Sequence, residues 1–437
     1  MSGAVNPTGA AALRRFKPYP AYKDSGVEWL GQIPAHWKVK RLKLVAELNP
    51  PASEVRSLSP ETEVSFVPME AVGEYGGLDL SMTKQLGEVG NGYTYFRNGD
   101  VVVAKITPCF ENGKGAHASG LANGIAFGTT ELHVLRVAHE LDDRFLFYLT
   151  LSDAFRRLGE ADMYGAGGQK RISESFVENF RSPLPPIPEQ RAIAAFLDRE
   201  TAKIDASVAK KERLIELLQE KRAALITRAV TKGLDPNVPM KDSGVEWLGD
   251  VPRHWAVQRL KFLCDVHTGD KDTEDAIEGG QYPFFVRSQT VERINSMAFN
   301  CEAVLTAGDG VGVGKVFHYY KGAFDFHQRV YMMNNFRGVT GPFLFHFLRE
   351  NFYKVALEGG AKSTVDSLRR PVFMNFMVCV PPRAEQEAII AFLDPETAGT
   401  DKLVTKVHAA INRLKELRTA LISAAVTGRI DVREEAP

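Results

Sequence analysis

Apolar side chains recur at alternating intervals of three and four residues in two long stretches of this chain. The first stretch begins after Glu189 and contains neither glycine nor proline before Gly233, whereas the second contains Pro395 near its start. A mean spacing of 3.5 residues is typical of helices that pack side by side as a coiled coil. We therefore predict two long helices and expect Pro395 to kink or break the second. The seam positions used below are Leu197, Ile204, Val208, Ile215, Leu218 and Leu225 in the first stretch, and Leu393, Val404, Val407, Ile411, Leu414 and Leu421 in the second.

Each predicted helix has one apolar stripe that must be buried on another surface. About 40 residues at a rise of 1.5 Å give a helix roughly 60 Å long, which is longer than packing on one compact globule requires. The equivalent stripe of the other helix is the nearest partner, so we predict an antiparallel pair. The alternative, in which each helix lies along its own globular part, remains open at this point.

Outside the helices the pattern changes to short apolar runs that glycine and turn residues separate. Examples are VSFVPME (64–70), DVVVAKIT (100–107) and RVYMM (329–333), which are typical of strands. Helical patterns follow at 145–158 and 343–357. The sequence thus predicts an α/β (α+β) protein with two mixed globules, two long helices that pair as an antiparallel coiled coil, and an internal pseudo-twofold arrangement.

The chain also repeats itself. Residues 23–43 match 241–261 at 16 of 21 positions, and 185–231 match 381–427 at 26 of 47, in both cases without gaps. Such a repeat indicates two copies of one plan and a target that has two parts. The predicted segments are an N-terminal tail (1–18), a first globule (19–184), a first helix segment (185–234), a second globule (235–380), a second helix segment (381–430) and a C-terminal tail (431–437).

The amino-acid composition excludes few classes of protein. Lys plus Arg equals Asp plus Glu at 54 each, but a nucleic-acid-binding face needs only a local basic surface. There is no run of 18 apolar residues and no apolar stretch after the basic residues near the start, so we expect neither a membrane span nor a signal peptide. Cys109, Cys264, Cys301 and Cys379 form no CxxC pair, which favours reduced thiols and a cytoplasmic protein.

Catalytic patterns are incomplete. Asn-Pro-Pro at 49–51 is followed by Ala52, where an amino-methyltransferase needs an aromatic residue. The segment GDGVGVGK (308–315) lacks the glycine and hydroxyl residue of a phosphate-binding loop. His36 and His254 have no second ligand at metal-binding spacing, so a structural role is the simpler interpretation. We predict that the chain is not an enzyme and holds no metal.

The duplicated blocks carry a family resemblance. SGVEWLGxxPxHWxVxRLK, a variable globule, PPxxEQxAIxAFLDxETAxxD and a long helix, all present twice, resemble the specificity subunit of type I restriction-modification systems. Segments 99–116 and 308–331 also resemble parts of that family's target-recognition domains. The resemblance covers nearly the whole chain after the first eighteen residues.

The resemblance implies a division of labour. Each globule would read one half of a split site in double-stranded DNA, and the helices would set the spacing and dock adenine methyltransferase subunits, normally two. Those partners would hold S-adenosylmethionine, and a restriction subunit that uses ATP and Mg²⁺ could join them; this chain would need no cofactor. The alternatives are a coiled-coil scaffold that does not bind DNA and a catalytic relative such as a fused methyltransferase.

The candidate DNA-binding residues are basic and polar side chains near glycine turns. Lys and Arg favour phosphates, whereas polar side chains read base edges. In the first globule they are Lys105, Thr107, Lys114, His117, Gln169, Lys170 and Arg171. In the second they are Arg287, Ser288, Gln289, Lys315, Tyr319, Tyr320, His327, Gln328, Arg329, Lys362, Ser363 and Thr364. About half of them should prove to be ordinary surface residues, and His327 and Gln328 could instead be buried in a strand.

Overall fold

The computed structural model describes residues 16–89, 92–165, 168–356 and 368–435. The chain forms two compact units: the first contains the residues up to Lys211 together with those from His408 onward, and the second contains Glu212–Val407. Each unit therefore has one globule and a part of both long helices. The segment boundaries predicted above cross these units and stay predictions.

The first globule is built from short strands and four short helices. Its strands are β1 (Tyr22–Asp24), β2 (Gln32–Pro34), β3 (Lys38–Arg41), β4 (Ala46–Leu48), β5 (Glu63–Val67), β6 (Thr83–Gln85), β7 (Thr94–Arg97), β8 (Val101–Ala104), β9 (Gly115–His117), β10 (Ile125–Gly128), β11 (Leu132–Val137) and β12 (Arg181–Leu184). Its helices are α1 (Leu86–Val89), α2 (Asp143–Thr150), α3 (Asp153–Asp162) and α4 (Glu174–Asn179). The long helix α5 (Ile187–Lys232) follows.

The second globule has a related set of elements. Its strands are β13 (Met240–Asp242), β14 (Asp250–Pro252), β15 (Ala256–Arg259), β16 (Asp265–Thr268), β17 (Tyr282–Phe285), β18 (Val291–Ile294), β19 (Phe299–Ala307), β20 (Phe317–Phe326), β21 (Val330–Asn334) and β22 (Met377–Val380). Its helices are α6 (Leu260–Leu263), α7 (Gly341–Asn351), α8 (Tyr353–Ala356) and α9 (Arg370–Met374). The second long helix is α10 (Arg383–Val426).

Each globule contains its own antiparallel sheet, and the two sheets have the same strand arrangement. The strand order is β4-β11-β8-β9 in the first globule and β16-β21-β19-β20 in the second. The globules differ in the chain segment between β4 and β11 of the first and between β16 and β21 of the second. There the first globule has 83 residues (49–131), including a second sheet of order β6-β5-β10-β7, and the second has 61 (269–329), with β17 and β18 added beside β20. The variation therefore lies inside a common frame.

A repeated hydrogen-bond cluster ties each globule to the start of its long helix. The indole of the buried Trp37 donates to Glu189 Oε1 at 3.0 Å, and His36 Nε2 lies 2.7 Å from Glu189 Oε2. Trp255 and His254 make the same contacts with Glu385, at 3.1 and 2.8 Å. The duplicated histidines thus position a carboxylate at the first turn of each helix.

The next residue of the repeat, a glutamine, continues this connection. Gln190 donates to the carbonyls of Glu140 and Pro185 and accepts from the N–H of Asp142. Gln386 makes three equivalent bonds in the second unit, to Gly338, Pro381 and Thr340. Because both glutamines are fully buried, these bonds satisfy backbone groups that water cannot reach.

The long helices pair in antiparallel orientation within each unit, as predicted. In the first unit residues 193–197 of α5 share one core with 421–426 of α10. In the second unit residues 226–230 of α5 share a core with 389–393 of α10. The predicted fold class is confirmed: two mixed α/β globules with two long, pairing helices. The alternative arrangement, in which each long helix lies along its own globule, describes only the helix starts. There, for example, Asp198 accepts a hydrogen bond from Tyr148 of the globule at 2.6 Å.

All twelve seam side chains are withdrawn from solvent to some degree. The buried ones are Leu197, Ile204, Ile215, Leu393, Val407, Ile411 and Leu421, and the partly buried ones are Val208, Leu218, Leu225, Val404 and Leu414. Six of them lie in each unit.

The expected break at Pro395 does not occur, because α10 continues through it. Proline removes one N–H donor and leaves the carbonyl four residues earlier, that of Ala391, without its helical partner. Pro395 and Ala391 are both exposed, so water can bond to this carbonyl.

Two ion pairs cross the helix seam in a reciprocal manner. Arg418 of α10 donates from Nε to Asp205 Oδ1 of α5 at 3.2 Å, and Arg222 Nε of α5 lies 3.2 Å from Asp401 Oδ1 of α10. The repeat offset of 196 residues relates Arg222 to Arg418 and Asp205 to Asp401. The same contact therefore forms twice with the helices exchanged. A polar pair within an apolar seam favours one register over its neighbours.

Removal of Asp205 should destabilise the first unit. Only 9% of the Arg418 side chain is exposed, so Asp205→Ala leaves a largely buried guanidinium without its carboxylate. Arg418 keeps a hydrogen bond to the Tyr75 carbonyl, so we expect a loss of about 1–3 kcal/mol in the free energy of unfolding, measured by denaturant titration. Glu212→Ala, which removes an exposed carboxylate from the same helix, is the control. Equal stability of the two variants would contradict the role given to the ion pair.

Candidate nucleic-acid interface

Several of the candidate DNA-binding residues lie close together at one end of the β4-β11-β8-β9 sheet of the first globule. Lys105, directly after β8, donates its N–H to the Glu131 carbonyl at 2.9 Å and accepts from the Ile172 N–H at 3.0 Å. The N–H and the hydroxyl of Thr107 both donate to the Lys170 carbonyl, at 2.9 and 3.2 Å. The loop after β8 and the glycine-rich turn before α4 therefore form one surface.

Arg171 on this surface is held in a fixed orientation. Its Nε and Nη2 donate to the two carboxylate oxygens of Glu131, each at 2.8 Å. The hydrogen bond from Arg171 holds the pKa of Glu131 below its usual range. The neighbouring side chains of Gln169 and Lys170 are exposed. A planar, pre-oriented guanidinium beside an exposed cation is suited to phosphate or base-edge contacts.

Two candidate residues of the first globule use their polar side-chain atoms for contacts within the globule. Lys114 donates from Nζ to the Met69 carbonyl at 2.9 Å. His117 Nε2 lies 3.0 Å from Asp143 Oδ2, and its side chain is only 14% exposed. The His117 contact is also the main reason why the pKa of Asp143 is lowered. Both residues stabilise the globule in this conformation, and DNA contact by either stays a prediction.

The second globule repeats the same backbone arrangement with other side chains. Gly308, directly after β19, donates its N–H to the Arg329 carbonyl at 2.8 Å and accepts from the Leu368 N–H at 2.9 Å. Gly308 thus occupies the position that Lys105 has in the first globule. The loop after β19, the residues before β21 and the segment before α9 meet at this end of the sheet.

A buried carboxylate orients two arginines here. Asp309, whose side chain is 8% exposed, accepts from Arg287 Nη1 at 3.1 Å and from Arg329 Nη1 at 2.9 Å. The side chains of Arg287 and Arg329 remain 44% and 62% exposed. Two cations that share one anion leave a positive surplus at the surface. Close packing of the turn requires glycine at Gly312, where a Cβ atom would come within 2.6 Å of the Arg287 carbonyl oxygen.

The segment that follows Arg287 lies against the same loop. Gln289 donates from Nε2 to the Lys315 carbonyl at 3.3 Å, and the side chains of Ser288, Gln289 and Lys315 are exposed. His318 Nε2 lies 2.9 Å from the Ser288 carbonyl oxygen, and burial lowers the pKa of this histidine. A neutral His318 that donates to this carbonyl fixes the segment without adding charge.

Tyr319 and Tyr320 lie on opposite faces of β20, as consecutive strand residues must. The Tyr319 hydroxyl donates to Glu302 Oε1 at 2.8 Å, and burial and this carboxylate raise the pKa of Tyr319 to about 12. Tyr320 instead packs on the rings of Phe285 and Phe324, with centroids 5.4 and 5.8 Å away. Only Tyr319 is exposed enough to be a surface contact.

His327 and Gln328 also differ in exposure. His327 is 1% exposed, and its Nδ1 accepts from the Arg329 N–H at 2.9 Å. His327 is thus buried, as the alternative expected, but it lies between β20 and β21 and not within a strand. Gln328 is exposed and donates to Asp272 Oδ2 at 2.6 Å. Lys362, Ser363 and Thr364 lie outside the described residues.

Sequence reasoning missed the residues that organise this surface. Glu131, Asp309 and His318 were not candidates, although each orients a residue that was. An acidic residue at the start of a glycine turn, as in GDG, is the signal that could have indicated Asp309. Glu131 and His318 had no local signal, because their partners are 40 and 30 residues away in sequence.

The described residues also lack two kinds of feature. Within the described ranges, no group of three or more His, Cys, Asp and Glu side chains is arranged to hold a metal ion. No helix in the part of the chain that the structure covers combines the length and apolarity needed to cross a membrane.

Comparison with known proteins gives consistent matches. The family described as "Type I restriction modification DNA specificity domain" matches residues 34–217 and 252–413. The chain is 39% identical over 183 residues to the type I restriction enzyme EcoAI specificity subunit of Escherichia coli, which covers 41% of this chain and 30% of that protein. It is 21% identical over 318 residues to the MjaVIII specificity subunit of Methanocaldococcus jannaschii, covering 67% and 71%. The match to the E. coli protein thus spans less than a third of that relative.

A solved structure has the same fold. It comes from work on complex assembly and conformational transition of the type I restriction-modification system, and it matches with a TM-score of 0.64 at 19% identity. The match covers 90% of this chain and 98% of the other.

Proposed function

The chain belongs to the family of type I restriction-modification DNA specificity domains, and from this we propose that it is the DNA-recognition subunit of a type I restriction-modification complex, without catalysis of its own. One observation carries the proposal. Both globules place basic and polar side chains at the corresponding end of their antiparallel sheets, on equivalent backbone hydrogen bonds. A scaffold protein without a nucleic-acid partner has no need for this duplicated surface.

Each globule reads one half of a split DNA site in this proposal. The first has Thr107, Gln169, Lys170 and Arg171 at its sheet end. The second presents a different set at the equivalent place, namely Arg287, Ser288, Gln289, Lys315 and Arg329. Because base readout depends on the pattern of donors and acceptors, different side chains on one backbone frame predict two half-sites of different sequence. The fixed arginines suit guanine, to which they can donate in bidentate fashion.

The paired helices set the distance between the half-sites and dock the partner subunits. Leu214 and Leu217 of α5 and Leu403 of α10 remain 41–45% exposed in the second unit, and such apolar side chains on a helix surface suit protein contacts. The expected partners are two adenine methyltransferase subunits, which bring S-adenosylmethionine, and a restriction subunit that uses ATP and Mg²⁺. The duplication of the chain agrees with two copies of one partner.

Loss of a lysine at either sheet end should weaken DNA binding without changing its sequence preference. Lys170→Gln and Lys315→Gln each remove one exposed cation, so affinity of the assembled complex should fall about three- to tenfold and the slope of log K against log salt by about 1. Lys23→Gln, which removes an exposed cation from β1, should change neither. If all three variants bind as the unchanged protein does, the sheet ends are not the DNA-binding surface.

The spacing role predicts a specific effect of helix length. Seven residues inserted after Lys211 in α5 and seven after Val407 in α10 preserve the heptad register at positions that the repeat relates. They lengthen each helix by about 10 Å, so the gap between half-sites should grow by about 3 base pairs. Methylation mapping in cells that co-express the methyltransferase measures this gap. An unchanged gap with methylation intact would show that the helices do not set the spacing.

A further inference from the structure

Val311 is the most exposed of the large apolar side chains in the described residues. It is 91% exposed, whereas Leu44 and Tyr164, the next in order, are 65% and 63% exposed. Its position is not that of a loose loop tip, because it lies in the middle of a single 3-10 turn, Gly310–Gly312. The residues around it are packed: Gly312 is buried and Val313 is only 6% exposed.

The turn is fixed by contacts that involve Arg287, Arg329 and Lys315. Asp309, the residue before the turn, is fixed by Arg287 and Arg329. At Gly312, the residue after Val311, a Cβ atom would come within 2.6 Å of the Arg287 carbonyl oxygen, and the Gly312 carbonyl accepts from the Lys315 N–H at 3.0 Å. An apolar side chain is thus displayed on a rigid turn beside three cationic residues.

This combination matches the chemistry of a duplex major groove. Phosphates on both sides attract the cations, and the thymine 5-methyl group is the apolar feature that a base pair presents there. Valine on a tight turn is short and β-branched, which suits contact with a methyl group better than insertion between stacked bases. Cationic neighbours also make an apolar protein partner a poorer fit, since such a partner would have to desolvate them.

We propose that Val311 reads a thymine by packing against its 5-methyl group, in the half-site that the second globule contacts. This inference rests on the proposed function and adds a specificity-determining residue to it. Arg287, Arg329 and Lys315 hold the flanking phosphates or base edges and bring the turn to the groove. The half-site of the second globule therefore contains at least one thymine whose methyl group contributes to affinity.

The test replaces each thymine of that half-site, one at a time, by deoxyuridine, which lacks the methyl group. The complete complex with its methyltransferase subunits is used, on a site first mapped by methylation. For the unchanged protein, one replacement should weaken binding about three- to tenfold, consistent with loss of one buried methyl group. Val311→Ala should bind both duplexes with nearly the same, weaker affinity. Val291→Ala, an exposed valine on β18 of the same globule, should keep the full difference.

Three results would overturn the inference while the proposed function stands. They are a half-site without thymine on either strand, sequence-specific binding that no deoxyuridine replacement affects, and a Val311→Ala variant that keeps the full preference for thymine. Failure of the complex to bind any specific duplex would instead contradict the proposed function itself. Thermal melting of both valine variants shows whether the globule remains folded.

Discussion

The pairing of the two long helices is the constraint on which the structure of each unit depends. The first unit completes its core with Leu421, Ile422 and Ala425, which come from the C-terminal part of α10. The second completes its core with Ile226 and Val230 from the end of α5. Neither hydrophobic core is therefore closed by its own globule and helix start alone. The apolar seam supplies the stabilisation, and the reciprocal pairs Arg418–Asp205 and Arg222–Asp401 favour one register.

The glutamate and glutamine of the repeated PPxxEQ segment connect this helix pair to the globules. Glu189 and Glu385 accept from buried tryptophans, and Gln190 and Gln386 satisfy backbone groups on both sides of the junction. These contacts fix where each globule begins relative to its helix start. The duplicated sequence is therefore explained by a structural requirement that both halves share, whereas the surfaces that we propose bind DNA differ.

The sequence predicted the elements whose signal is local. The 3.5-residue period indicated α5 and α10, and the repeat indicated two globules of one kind. The strand order could not be predicted from the sequence, because it depends on pairings between distant residues: β4 pairs with β11, which follows more than 80 residues later. Of the kink or break expected at Pro395, the break was wrong, since α10 continues through this residue and solvent can replace the missing helical partner on an exposed face.

The candidate surface was predicted in part for similar reasons. The candidate segments do lie close to one another, 105–107 beside 169–171 in the first globule and 287–289 beside 308–315 in the second, while their contact with DNA stays a prediction. The direction of a side chain is not encoded in turn chemistry, so Tyr320 and His327 proved to pack inward. In the proposed function Asp309 and Glu131 matter because an arginine that a carboxylate already holds would lose less conformational freedom on binding DNA, and only the tertiary structure shows those pairings.

The central claim is that each globule reads its own half of one DNA site. The most direct measurement exchanges residues 99–185 for the corresponding segment of another specificity subunit and maps adenine methylation in cells that also express the methyltransferase. The account predicts that one half of the methylated sequence changes while the other half and the gap stay the same. A change in both halves, or in neither while methylation persists, would contradict it.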